Sequence, residues 1–341
     1  MSIDRASRPA LRLALGLALA IVVAYGAGWT APHVSVLVAV MLLAKPGAPI
    51  PFVKGCVLGG ALFVLTGVGV WITPLLEHYA AAAMLLIALV LFLLFYLSQR
   101  SANPLLTLMV VGFTMIPVAG SQEQALAVAV ILALARGVVL GVVVGLIAHA
   151  LWGDEAVPGK TTKPESKTAS RWQALRGVVI IMPVLVLALS NPSQYMAAIM
   201  KTSALGQQAS ALNARNAGRE LLGSTLLGAG VASLVWVGLS LWPVLWMYAL
   251  WMALAGLWLA MRLYRLRPVQ HPPSYWMNAL ITLVIFVGPA VEDSANGKDV
   301  MQAALIRLAL FVGVSLYAWA AIVVLEWLAK RVRQDRVVDA A

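Results

Sequence analysis

Two arginines stand inside apolar runs and could do chemistry there. Arg136 lies in Leu132-Ala133-Leu134-Ala135-Arg136-Gly137-Val138-Val139-Leu140-Gly141, and Arg307 in Ala303-Ala304-Leu305-Ile306-Arg307-Leu308-Ala309-Leu310-Phe311. A charged side chain inside a lipid-spanning helix costs ~2.5–3.5 kcal/mol on insertion scales, so such residues usually serve a purpose. The planar fork of guanidinium donors suits a carboxylate. By rise per residue each lies roughly 12–18 Å in from the outer end of its helix, too deep for easy snorkelling. The expectation is that both face one shared cavity and hold the carboxylate of an anionic substrate. The alternative is a structural arginine, bonded to carbonyls at broken helices or to Glu220 or Glu326. Gly137, Gly141 and Gly145 follow Arg136 at every fourth position. Such a small-residue stripe permits close helix approach, and packing alone is its simpler reading.

A second set of candidates sits where helices break. Lys45-Pro46-Gly47-Ala48-Pro49-Ile50-Pro51 cannot continue a helix, because its prolines remove donors and clash. The stretch Gly206-Gln207-Gln208-Ala209-Ser210-Ala211-Leu212-Asn213 is unusually polar for a membrane segment. Broken helices at corresponding places of two halves point to a transport path. Lys45, Lys201, Thr202, Ser203, Gln207 and Gln208 are the residues expected to line it; a cytoplasmic loop that starts early is the alternative. For proton coupling the candidates are His149, Glu220 and Asp293. Each has a plainer reading: His149 as a helix-end residue, Glu220 as a helix-start residue beside Arg219, and Asp293 as part of a solvated loop. Trp29, Trp71, Trp152, Trp236, Trp242, Trp246, Trp276 and Trp327 cluster near span ends, as an aromatic belt does.

The elements that position these residues follow from composition. Hydrophobic residues make up 62% of the 341-residue chain and charged residues 11%, outside the range of a soluble globular domain. The sequence reads as an all-α polytopic membrane protein with about twelve spans. They fall at about 11–28, 33–44, 53–73, 79–98, 103–119, 124–152, 174–190, 194–208, 217–239, 242–263, 274–291 and 300–328. The second, eighth and eleventh carry the weakest signals. Residues 1–152 are expected to form a first six-helix membrane repeat and 153–170 a polar cytoplasmic linker. Residues 171–330 then form a second repeat and 331–341 a cytoplasmic tail.

Of 24 lysines and arginines, all but Arg136, Arg307 and Lys298 fall on one side of this layout, Lys201 among them. The opposite loops hold Glu77, Glu123, Glu292, Asp293 and Asp299. The positive-inside rule then places both termini in the cytoplasm. The first span, with its basic head, could pass for a signal peptide. Its Ala10-Leu11-Arg12 recurs mid-chain as Ala174-Leu175-Arg176, so no cleavage is expected. That recurrence belongs to an internal repeat: Gly59 meets Gly223 at the same offset of 164, Pro117 meets Pro289 at 172, and the arginines meet at 171. Six spans in each half make the two halves parallel, related about an axis along the membrane normal.

Several chemistries find no support. The single cysteine, Cys56, excludes an internal disulfide or a multi-cysteine metal site, and His33, His78, His149 and His271 have no ligand spacing. No phosphate-binding loop is present. No paired carboxylates, metal set or nucleophile–base pair occurs in the spans, so an enzyme and a cofactor are not expected. The net charge of +11 lies at the membrane boundary and does not imply a nucleic-acid partner.

The string Gly28-Trp29-Thr30-Ala31-Pro32-His33-Val34-Ser35-Val36-Leu37, then Lys45-Pro46-Gly47 and Lys54-Gly55-Cys56-Val57-Leu58-Gly59-Gly60-Ala61, resembles the fusaric-acid-resistance-like, or aromatic acid exporter, superfamily. Arg219-Glu220-Leu221-Leu222-Gly223-Ser224-Thr225-Leu226-Leu227-Gly228 is similar to the same third-helix pattern. The chain looks like a compact branch of the DUF2955 type, without the soluble cytoplasmic domain that larger members carry after each half. The resemblance implies a bacterial inner-membrane exporter of organic anions, aromatic carboxylic acids above all. It also implies a periplasmic membrane-fusion adaptor and an outer-membrane channel as partners, with a homo-oligomer as a further option. A passive anion channel of the same fold and a non-transporting membrane scaffold are the rival readings.

Overall fold

The computed structural model describes residues 5–45, 47–101, 103–153, 167–209, 214–297 and 299–338. Most of the expected 153–170 linker, the end of the Gly206–Asn213 stretch, Pro46, Lys298 and the last three residues of the tail lie outside them. Every extended element among the described residues is a helix, twelve in sequence. They are α1 (Arg8–Gly26), α2 (Pro32–Leu43), α3 (Phe52–His78, with a 3-10 turn at Val68–Trp71), α4 (Ala80–Arg100), α5 (Pro104–Gln122) and α6 (Gln124–Leu151). The second six are α7 (Lys167–Ser190), α8 (Pro192–Ala209), α9 (Ala214–Leu241), α10 (Leu245–Leu263), α11 (Pro273–Ala295) and α12 (Val300–Val338).

Ten of these helices are long and apolar enough to cross a membrane. The two that are not, α2 and α8, are two of the three weak spans. Helix α2 has only 12 residues, about 18 Å at 1.5 Å each. Helix α8 is long enough, but its run of Lys, Thr, Ser and Gln dilutes its hydropathy. The third weak span, α11, qualifies and is the most buried of the ten. Its modest apolarity reflects contact with other helices on all sides, where polar groups find partners.

Local chemistry sets the ends. Pro32, Pro104, Pro192 and Pro273 open their helices, where a missing N–H costs nothing. The Asn103 side chain accepts from Leu105 N at 3.0 Å, and Asp299 Oδ1 accepts from Met301 N at 2.9 Å, capping α5 and α12.

Two faces of the bundle are fixed by bonds between distant segments. At one, Arg8 and Arg12 donate to the carbonyls of Gly153 and Trp152, and Tyr264 donates to Ala44 O. This is the basic face. At the other, Tyr25 donates to Gly288 O, and His33 meets Glu292. This is the acidic face.

Helix α6 packs on α1, α2, α3 and α5, while α12 packs on α7, α8, α9 and α11. Contacts between the two sets run α1 to α10, α4 to α7, α2 to α11, α5 to α8 and, less extensively, α5 to α7. The glycine stripe of α6 serves close packing: a Cβ on Gly137 would fall 2.7 Å from Ser35 O, and one on Gly141 2.9 Å from Ala39 Cα. Ser35 Oγ donates to Ala133 O at 2.9 Å across the same seam. This is why α2, too short to span alone, is nonetheless almost wholly buried.

Candidate functional site

Arg136, near the middle of α6, is one of the residues lining an open cleft of about 540 Å³ between α1, α3 and α6, whose lining surface is almost wholly apolar. The walls are Leu19 and Val23 of α1, Phe63 of α3, and Val139, Val143 and Ile147 of α6, with Gly59 and Gly60 providing room. The volume is that of a small-molecule pocket. Among the described residues Arg136 is the sole charged one lining it, and it makes no hydrogen bond or ion pair with any of them. Its guanidinium carbon instead lies 5.6 Å from the centre of the Trp29 ring, within cation–π range.

The placement of Trp29 has a local cause. Helix α1 ends with Gly28 at φ +62, a left-handed position that costs glycine little. Trp29 N then reaches Ala24 O at 3.1 Å, and Gly28 N reaches Tyr25 O at 3.1 Å. This hydrogen-bond pattern is a Schellman cap. It folds the indole back toward α6. The cleft thus offers apolar walls, an aromatic ring and one cation without a carboxylate partner. Chemically that combination accepts an organic anion with a hydrophobic body.

Arg307 is placed differently. It lies on α12 and pairs with Asp293 near the end of α11, their side chains only 12% and 13% exposed. Its Nη1 is buried with no hydrogen-bond partner. The two residues line a cavity of about 290 Å³ toward the acidic face, together with His33, Ser193, Gln194 and Met200. Beside it, His33 Nδ1 and Glu292 Oε1 lie 2.6 Å apart, joining α2 to α11. The expectation of one cavity shared by both arginines is therefore corrected: Arg136 and Arg307 line separate cavities. Asp293, expected in a solvated loop or as a coupling group, is the counterion of Arg307.

The polar stretch of α8 does not line an open path. Lys201 is fully buried, not at the basic face where the charge count put it. Its Nζ donates to Asn278 Oδ1 at 2.8 Å and Thr282 Oγ1 at 2.5 Å, both on α11. Thr202 and Ser203 are also fully buried and donate to the carbonyls of Ala198 and Met200 in their own helix. Gln207 Nε2 donates to Thr107 O at 3.1 Å, tying α8 to α5, while Gln208 is half-buried.

Asn278 continues the polar run by donating to Ser224 Oγ at 2.6 Å. Ser224 donates to Glu220 O one turn earlier on α9. The Glu220 carboxylate accepts from Ser274 Oγ at 3.1 Å, in the first turn of α11. Thr225 and Ser315 add a 3.1 Å contact between α9 and α12.

Lys45 is exposed at the basic end of α2, beside a small pocket of about 60 Å³ that Arg12, His149 and Tyr264 also line. His149 sits in the last turn of α6, its Nδ1 2.9 Å from Gly145 O, as a helix-end residue would. Burial pushes the Tyr264 phenol up to about 12, so it stays a donor to Ala44 O.

Sequence reasoning missed Asn278 and Thr282 as partners of Lys201, and treated Trp29 only as a belt residue. Asn278 and Thr282 stand one turn apart in an otherwise apolar run, a spacing that places both on one helix face. That signal was available. Among the described residues, no group of three or more His, Cys, Asp or Glu could hold a metal ion.

Comparison with known proteins gives one family match. A family described as a protein of unknown function (DUF2955) matches residues 9–148, the stretch from α1 to the last turn of α6. No curated protein and no solved structure matches the chain.

Proposed function

We propose that this chain is a membrane transporter that exports organic anions with a hydrophobic body, aromatic carboxylates being the best fit. The observation that carries the reading is Arg136, which has no carboxylate partner among the described residues, lines an apolar cleft of about 540 Å³ and lies beside an indole. A carboxylate entering there gains the forked contact, and its ring gains the apolar walls. A protonated amine of the same shape is repelled.

Two parallel six-helix repeats are the architecture we propose for the transporter. What supports them is the correspondence of helix partners. Each arginine-bearing helix, α6 or α12, packs on the first, second, third and fifth helices of its own set. Four contacts across the sets form matched pairs, α1–α10 with α4–α7 and α2–α11 with α5–α8, while that of α5 on α7 has no comparable counterpart between α11 and α1. Each pair maps onto the other when the sets are exchanged. The family match over residues 9–148 ends inside the sixth helix, where a first repeat would end. The basic face then lies in the cytoplasm with both termini, in a bacterial inner membrane, and a periplasmic adaptor and outer-membrane channel would work at the acidic face.

The direct test is resistance to a toxic aromatic acid in a bacterial strain lacking its other exporters. Expression should confer resistance, and Arg136→Gln should abolish it at equal membrane abundance. Equal resistance with Arg136→Gln returns this arginine to a structural role. In a Cys56→Ser background, cysteine labelling at Glu165 and at the exposed Asn296 should report opposite sides of the membrane; labelling from the same side would sink the twelve-span topology.

A further inference from the structure

We infer that Lys201 is the proton-carrying group of this protein, taking up a proton when the acidic-face cavity opens to it and releasing it toward Glu220. The inference rests on the anion-transport reading above and adds the coupling ion to it.

The hydrogen-bond count at Lys201 Nζ comes first. An ammonium has three hydrogens to donate, a neutral amine two. The described residues supply two acceptors, Asn278 Oδ1 and Thr282 Oγ1. Both are committed to this role. Asn278 uses its amide hydrogens toward Ser224, and Thr282 gives its hydroxyl hydrogen to Asn278 O at 2.6 Å. Among the described residues no carboxylate contacts the amine. The packing therefore suits neutral lysine, and a charge there would be desolvated without a counterion.

The ionisable groups on the surrounding helices do not supply that counterion. On α11 and α12, Asp293 and Arg307 pair with each other. Glu292 of α11 is held by His33 of α2, and Glu326 of α12 by Arg176 of α7. Tyr317 of α12 donates to Val179 O, and Tyr275 of α11 stacks on His271. Arg171 of α7, Tyr195 of α8, Arg219 of α9 and Arg331 of α12, which lies over the Trp327 ring, complete the ionisable groups described on these helices besides Glu220, and none contacts Lys201. Helix α5 carries no ionisable side chain.

Position gives the amine two outlets. Met200, its chain neighbour, and Ala197, one turn away, line the acidic-face cavity. In the other direction Asn278 and Ser224 form a polar file that ends at the Glu220 backbone carbonyl, near the basic end of α9, and the Glu220 carboxylate is held separately by Ser274. Lys201 thus lies between a water-accessible cavity and a carboxylate on the opposite side. A proton moves from cavity water to the Nζ lone pair, and later from Nζ through water admitted along the file to the Glu220 side. No bond other than N–H forms or breaks. Protonation leaves a third hydrogen and a charge unmet, so it favours parting of α8 from α11. That links proton uptake to a change of helix packing.

The test uses the full chain in proteoliposomes with radiolabelled 4-hydroxybenzoate, protein-free vesicles being subtracted. Unaltered protein should show both counterflow exchange and accumulation driven by a pH gradient. Arg136→Gln should lose both. Lys201→Met and Lys201→Gln should keep counterflow but lose gradient-driven accumulation at least tenfold. Accumulation equal to that of unaltered protein in either variant overturns the inference. So does joint loss of counterflow and accumulation in both variants, which makes Lys201 a binding or folding residue.

A second readout needs no transport. In a Cys56→Ser background, Met200→Cys is labelled by a methanethiosulfonate reagent at pH 8 and pH 6, with and without Lys201→Met. The ratio of rates, Lys201 over Met, should rise several-fold at pH 6. An unchanged ratio overturns proton-linked opening even if counterflow succeeds. Absence of counterflow in unaltered protein, with the ratio rising, overturns the anion reading instead and leaves proton binding by Lys201 supported.

Discussion

Arg136 and Arg307 occupy corresponding places on α6 and α12, yet Arg307 meets a carboxylate and Arg136 meets an indole. The proposed repeat makes the comparison residue by residue. At the offset of 172, the position of Asp293 in the first half is Ser121, whose hydroxyl donates to Val118 O at 2.9 Å. The first half therefore has no acid where the second has one. The reverse holds for polarity in the core. Lys201, Asn278 and Thr282 correspond to Leu37, Leu106 and Val110 at offsets of 164 and 172. Ser224, in the middle of the polar file, corresponds to Gly60, which helps open the Arg136 cleft. One half keeps a roomy apolar cleft with an uncompensated cation. The other closes around a polar file with its arginine neutralised. On the proposed repeat, the two halves would divide the work of binding and coupling.

The largest expected effect breaks the neutralised side of this comparison. Asp293→Asn leaves Arg307 nearly enclosed beside an amide and should cost about 3–5 kcal/mol of stability, as removal of one partner from a buried ion pair does. Replacing both partners, Arg307→Met with Asp293→Leu, should cost much less. Thermal unfolding in detergent reads both, and equal losses from the single and double variants would mean that the pair is not coupled.

The next effect sharpens the other side. Arg136→Lys keeps a charge but loses the fork, and should weaken carboxylate binding by about 1–3 kcal/mol. Titration calorimetry with 4-hydroxybenzoate measures it. An unchanged affinity would show that charge alone matters at this site. The smallest effect concerns the ring. Trp29→Leu removes a cation–π contact worth about 0.5–1 kcal/mol at an exposed site, so affinity should fall only a few-fold. A larger loss would mean that the indole stacks directly on the ligand.

Much of the helical plan was legible because apolar length carries it. Pro32, Pro104, Pro192 and Pro273 mark starts, and Lys45-Pro46-Gly47 marks a stop. The short α2 was legible as too short to span, but not as buried, since its burial depends on Gly137 and Gly141 admitting its backbone. Arg136 lies twelve residues into α6, about 18 Å by rise per residue, but α12 starts at Val300, so Arg307 is only about 10 Å in, short of the expected depth. Their surroundings were not legible, because which way a side chain projects depends on helix rotation. Thus Arg307 reached Asp293 across a turn, and Arg136 came to line the cleft between α1, α3 and α6. Lys201 was misplaced because a lysine near a polar run reads as a helix end. The acceptors that let it lie inside, Asn278 and Thr282, are some eighty residues away in the chain.

The central claim is that the Arg136 cleft holds a carboxylate. Equilibrium binding of radiolabelled 4-hydroxybenzoate to the purified full chain tests it most directly, with 4-hydroxybenzylamine as competitor and Arg136→Gln beside Arg307→Gln. The account predicts saturable binding that the amine does not displace, lost with Arg136→Gln and retained with Arg307→Gln. Binding that survives Arg136→Gln and disappears with Arg307→Gln would contradict it and move the site to the acidic-face cavity.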